Sequence, residues 1–262
     1  MPIPLWLQEP MIRNVQVDSE DRIKLHREIL LAKPMIRDVF FEFYRLVKEL
    51  DIKYFGETEG KKLEIGSGSS LIKQIIPDII QSDVVAYPEH NIVADAQNLP
   101  FGENQLRAIY GIHTFHHIPN PYMFLNELET KCAPGGGTIL IDPYHGPVAS
   151  VVFKVLFSNE DFDKHGDAIL EQSGPMTDAN QALTYIVFVR ELKKMLVEHP
   201  DLEIVYSRPL TNYIRYLVSG GVNFRQMLPN WSAPALKIIE FVLSPLSHIL
   251  ALHHVIVIRR KR

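Results

Sequence analysis

Lys61-Lys62-Leu63-Glu64-Ile65-Gly66-Ser67-Gly68-Ser69-Ser70 reads as a short buried strand running into a glycine turn. A helix is expected next, starting at Ser70-Leu71-Ile72-Lys73-Gln74-Ile75-Ile76 and ending near Pro77. Glycines two residues apart let the backbone turn sharply and let a ligand approach main-chain atoms. A helix start beside them would add N–H groups free to bind a ligand. The carboxylate of Glu64, just ahead of the turn, selects the ligand. It would repel a pyrophosphate and hold a cation or a sugar hydroxyl.

Working outward, residues 84–86 (Val-Val-Ala) read as a second strand, and Asn91-Ile92-Val93-Ala94-Asp95-Ala96 as a third that ends in an Asp-Ala step. Residues 105–112 form a fourth strand and lead into His113-Thr114-Phe115-His116-His117-Ile118-Pro119. A helix over 121–132, a Pro-Gly-Gly-Gly turn at 133–137 and a fifth strand at 138–142 follow.

Glu-x-Gly-x-Gly, Asp-Ala, His-His-Ile and Pro-Gly-Gly, in that order over about residues 60–145, resemble class I S-adenosylmethionine (SAM)-dependent methyltransferases. The resemblance implies an α/β, Rossmann-like sheet of seven mostly parallel strands, helices on both faces and strand seven antiparallel. It also implies SAM as cofactor and S-adenosylhomocysteine as product. Carried over residue by residue, Glu64, Gly66, Ser67, Gly68 and His113 would contact the cofactor, while Asp95 and Ala96 would read its adenine. The family places an acid at the end of strand two for the ribose hydroxyls. Here that strand runs into Tyr87-Pro88-Glu89, so Glu89, two or three residues late, is the candidate. Asp142-Pro143-Tyr144 and Ser219-Gly220-Gly221 look like bacterial methyltransferases of small-molecule or polysaccharide pathways.

The ends of the chain fit the same plan. Residues 18–50 carry a helical pattern capped by Asp18 or Ser19 and divided by Pro34, with Ile36, Phe40, Phe43, Tyr44 and Val47 as a core-facing stripe. We expect residues 1–50 to be an N-terminal helical cap and 51–262 the methyltransferase domain, with insertions at about 146–176 and 210–252. Helices are expected over 148–157 and 177–199, a polar loop at 158–176, and strands six and seven at 202–206 and 253–259. The apolar stretch from 233 to 252 is expected to cover the sheet edge, with membrane docking or a greasy acceptor pocket as alternatives.

Composition narrows the partners. A net charge of -4 gives no general pull on nucleic acid, so no nucleic-acid partner is expected. One cysteine, Cys132, rules out an intrachain disulfide. No stretch of about 18 uncharged apolar residues occurs, so no stable membrane span is expected and a cytoplasmic location is the default.

Methyl transfer from a sulfonium needs alignment, water exclusion and, for a weakly acidic acceptor, a base. His113 and His145, each just past a strand end, are the candidate catalytic bases, and no metal is expected. The acceptor is expected to be a small molecule or one linked to sugar or lipid. Oxygen or carbon is favoured, because the Asn-Pro-Pro-Tyr/Phe motif of amine methylation is absent after strand four. The alternative is a non-catalytic SAM-binding module, motivated by the missing ribose acid and by Ser69 where a third glycine could stand. A nicotinamide dehydrogenase would need glycine where Leu71 stands.

Overall fold

The computed structural model describes residues 6–17, 19–156, 160–171 and 179–262. Asp18, one of the two expected caps, lies outside them, as do parts of the expected polar loop and the start of the helix expected at 177. Ser19 caps α1 (Glu20–Ala32), its side chain accepting from the Arg22 N–H. Pro34, which lacks the N–H that the first turn would leave unbonded, opens α2 (Pro34–Phe55). The domain boundary expected at residue 50 therefore falls inside α2.

The sheet comprises β1 (Lys61–Ile65), β2 (Ile80–Asp83), β3 (Ile92–Val93), β4 (Leu106–Ile112), β5 (Cys132–Pro143), β6 (Leu202–Pro209) and β7 (His253–Arg260). Its order is β3-β2-β1-β4-β5-β7-β6. β1 through β5 run parallel, and β7 lies antiparallel between β5 and β6. Alternation along the strands builds a core on each face. Ile109, Leu140, Ile256 and Ile258 point to one, with α3 (Pro121–Lys131) supplying Phe124, Leu125 and Leu128. Ala108, Tyr110, Ile139, Ile141, Val255 and Val257 point to the other, where α2 lays Val39, Phe43, Val47 and Phe55.

Chain order leaves β1 toward β2 on one side and returns to β4 on the other. That switch point opens a crevice at the carboxyl ends of β1 and β4, the position where open α/β sheets bind ligands. Gly66 and His113 stand there.

Several expected elements differ: β5 starts at Cys132, so the turn expected at 133–137 lies inside the strand. Strand two is Ile80–Asp83, not 84–86. Val84, at 46% exposure, has already left the sheet, whereas Gln81 and Ser82 are buried. No α-helix follows β1; Ile72–Gln74 makes a single 3₁₀ turn. Side chains take its N–H groups: the Tyr44 hydroxyl accepts from Leu71 at 3.1 Å and Ser70 Oγ from Ile72 at 3.2 Å.

Beyond β5 come α4 (Pro147–Leu156), α5 (Leu183–Tyr185), a π turn at Ile186–Arg190 and α6 (Leu192–Glu198). The single long helix expected there is thus broken. Ile186, Val187 and Phe188, three consecutive residues, are all buried, which a regular helix cannot achieve on one narrow face. α7 (Tyr213–Ser219), α8 (Ala233–Val242) and α9 (Ser247–Leu250) fill the segment between β6 and β7.

α8 does not cover the sheet edge as expected. Only Leu236 and Glu240 are buried on it, while Ile238, Phe241 and Val242 stay largely exposed. No single helix among the described residues is long and apolar enough to cross a membrane, although Asn230–Val242 and Ser244–Leu250, bent by 64°, pass such a test together.

α8 is held through charge. Arg215 of α7 donates from Nε to Glu240 at 2.6 Å and from its two terminal nitrogens to Glu42 of α2 at 2.8 Å each. Arg215→Ala would leave Glu240 buried without its countercharge, and we expect a loss of about 3–5 kcal/mol. Urea unfolding of the two proteins checks this.

Candidate active site

The turn after β1 is shaped by what surrounds it. Gly66 has φ +57°, and a Cβ there would sit 2.4 Å from the Thr114 side chain. Gly68 has φ +43°, and a Cβ would meet only the Gly66 carbonyl, at 4.0 Å, so its face is open. The Gly68 N–H donates to Asp83 at 2.8 Å, and the other Asp83 oxygen accepts from the Val85 N–H at 3.0 Å. Asp83 ends the observed strand two, ahead of the position where an acid was expected, and it lines the cavity described next.

Glu64 lines the second cavity described below, with both carboxylate oxygens already hydrogen bonded. Its two oxygens accept from Ser70 Oγ at 2.7 Å and Gln81 Nε2 at 2.9 Å, and its carbonyl accepts from Ser82 Oγ at 2.8 Å. Burial, only partly offset by those hydrogen bonds and reinforced by Asp83, pushes its pKa up to about 7. Those two hydrogen bonds engage the carboxylate that was expected to grip a cation. Ser67 is also buried, its N–H donating to the Ser82 carbonyl.

A cavity with about 910 Å³ of open space lies over this turn. Gly66, Gly68 and Ser69 line one end, Asp83 and Val84 one wall, and Asp95, Ala96 and Gln97 the far end. Ile23 and His26 of α1 help close it. The Asp95 carboxylate is steadied by the Gln97 N–H at 2.8 Å. Glu89 is not in the lining and instead forms an ion pair with Arg27 of α1. The cavity's carboxylate at mid-wall, glycine cradle at one end and Asp-Ala backbone at the other fit a nucleoside carrying an amino-acid arm.

A second cavity of about 1040 Å³ adjoins the first. Gly66, Gly68, Ser69, His26, His113 and His117 line both. His113 sits in the left-handed region at φ +55°, a strained position for a non-glycine residue, as functional sites often show. Its ring stacks on His253 at 4.4 Å and is caged by Phe40, Phe43 and Tyr216. Burial drives its pKa down to about 4, so it is neutral at physiological pH.

His145 is not brought here. It lines a separate cavity with Phe188, Leu192 and His254. His116 is buried, and Asp142 accepts from both its Nδ1 (2.9 Å) and its backbone N–H (3.0 Å). Burial would lower its pKa, but the Asp142 and Glu160 charges outweigh that and raise it to about 10.

Sequence reasoning missed Asp83, Gln97, Thr114, Glu160 and the α1 residues Ile23 and His26. Only Asp83 carried a signal, an acid directly before the apolar run taken for the strand.

Residues 63–140 match the family model described as a methyltransferase domain. No curated protein matches the chain. Among solved structures, a geranyl diphosphate C-methyltransferase from Streptomyces coelicolor, solved with Mg²⁺, geranyl diphosphate and S-adenosyl-L-homocysteine, is 12% identical at a TM-score of 0.48, over 98% of this chain and 91% of that one. The YcgJ protein of Bacillus subtilis is 14% identical at 0.43, over 86% and 99%. The [4+2]-cyclase SpnF is 11% identical at 0.43, over 83% and 80%.

The Glu64 carboxyl gives a pH test. A carboxyl whose pKa rises on folding is stabilising while protonated, and that contribution is lost as pH climbs from about 4.5 through about 7. Glu64→Gln should therefore melt like the parent near pH 5 and above it at pH 8, by an amount on the order of 2–3 kcal/mol. Thermal unfolding across that range checks it; a constant offset would assign the effect elsewhere.

The sheet order and the glycine turn at the switch point agree with the methyltransferase-domain match over residues 63–140.

Proposed function

We propose that this enzyme methylates an oxygen or carbon of a small-molecule or sugar- or lipid-linked acceptor seated in the second cavity. The observation that carries the reading is the shared wall: one cavity fits the donor, the other has room for an acceptor, and His113 lines both. SAM, when bound, supplies a methyl group already activated by the sulfonium charge. The chain's own residues do the rest. Asp83 uses one lone pair of each oxygen on the Gly68 and Val85 N–H groups, leaving others for ribose hydroxyls. Asp95, Ala96 and Gln97 receive the adenine. The neutral His113 imidazole accepts the acceptor's proton or orients its hydroxyl, and the Phe40, Phe43 and Tyr216 cage excludes water.

A lipid-linked acceptor is supported by α4. Phe153 lines the acceptor cavity while Val151 and Val155 on the same helix are 63% and 61% exposed. Asp83 removes one of the two motives for a non-catalytic module.

Calorimetric titration with S-adenosylhomocysteine is the first check. Asp83→Ala should weaken binding at least tenfold and Glu89→Ala by less than threefold; the reverse pattern would return the ribose contact to Glu89. Against a pool of hydroxylated sugars and isoprenoid phosphates, with SAM saturating, His113→Ala should lower kcat by about 10²–10⁴-fold. An unchanged kcat removes His113 from the chemistry.

A further inference from the structure

We propose that His116, His117 and Glu160 bind one divalent transition-metal ion at the acceptor end of the cleft, where its open positions take an acceptor oxygen. Their ligand atoms all lie within 4.8 Å of one another. His116 Nε2 and the Glu160 carboxylate are 3.6 Å apart, too far for a good hydrogen bond. Two ligand atoms, each about 2.0–2.1 Å from one tetrahedral ion, stand roughly 3.3 Å apart, so a small rotation of Glu160 suffices.

The other face of the His116 ring system is built for this use. Asp142, 1% exposed, accepts from Nδ1 and directs Nε2 toward Glu160, where an ion would displace the Nε2 proton. A carboxylate behind a histidine in this way fixes the ring and raises its donor strength toward a metal. The His117 ring lies alongside, with centroids 4.2 Å apart.

A second observation is independent of the three ligands. Gln181 lines the same cavity, is 2% exposed, and neither of its amide atoms has a hydrogen-bond partner among the described residues. His253 Nδ1 and His113 Nε2, in the same lining, share that condition. Buried polar atoms in that state are costly unless a polar ligand completes them. Two imidazoles and one carboxylate suit Zn²⁺, Co²⁺ or Fe²⁺ better than Mg²⁺ or Ca²⁺. The acceptor's place on the ion rests on the proposed methyltransferase acceptor site; the ion's binding does not.

Chelator-stripped protein titrated with Zn²⁺ and, separately, Co²⁺ tests the inference, with S-adenosylhomocysteine titrated in parallel. The expected result is one ion per chain and visible Co²⁺ absorption bands. Glu160→Gln should weaken the ion at least tenfold with S-adenosylhomocysteine affinity retained; His117→Ala should weaken the ion at least tenfold and Asp142→Asn by about 10–100-fold. Should Asp142→Asn fail to fold, the partly exposed Glu160 decides. Absence of ion binding in the parent, or equal affinity in the Glu160 and His117 variants, overturns the inference and leaves His116 as an ion pair between two carboxylates. Failure of the functional reading shows separately, as loss of S-adenosylhomocysteine binding in the parent protein.

Discussion

The cleft depends on a polar seam buried between the first two strands. Glu64 stands opposite Gln81 in the β1–β2 ladder, and the two are joined side chain to side chain, with Ser82 and Ser70 closing the remaining acceptors. Polar groups sealed from water are tolerable only when each finds its partner, and once matched they permit a single register. A slip of β2 by one residue would turn Gln81 and Ser82 to the wrong faces. Because the register holds, Asp83 emerges level with Gly68 and the two are hydrogen bonded. The placement of Asp83 beside the glycine turn is thus set by the polar pairing behind it.

That seam also explains what could be read from the chain and what could not. Periodicity and turn residues sufficed for β1, β4, β7 and the Pro34 break, which follow from apolar patterning and backbone chemistry, while the seven-stranded plan came from the family resemblance. β2 was misplaced because its burial is polar: Val84-Val85-Ala86 looks more like a strand than Ile80-Gln81-Ser82-Asp83, until the partners across the ladder are known. Glu89 was then the nearest acid by spacing, and only the fold shows it turned toward α1. His145 follows a strand end as His113 does, yet β7 and α5 enclose it on another side of the molecule.

Contributions from distant segments were beyond sequence reading altogether. Ile23 and His26 reach the donor cavity from α1, Glu160 and Gln181 reach the acceptor cavity from beyond β5, and Tyr216 and His253 arrive from the last third of the chain. No local pattern marks them, because their place is decided by how α2 and α7 pack. The strained backbone of His113 belongs to the same group: its conformation is imposed by the N–H it donates to the Ile141 carbonyl at 2.8 Å and by the ring stacked beneath it.

α1 closes the donor chamber from the outside, held by the buried Ile23, Ile29 and Leu30, by Arg22 on the Ile12 carbonyl and Asn223, and by Arg27. Arg27 reaches the Ser70 carbonyl at 3.0 Å and pairs with Glu89, whose side chain is 49% exposed. Ion pairs so open to water contribute under about 1 kcal/mol and fade with added salt. Salt should therefore loosen the Arg27–Glu89 part of this hold while leaving the packing of Ile23, Ile29 and Leu30 untouched.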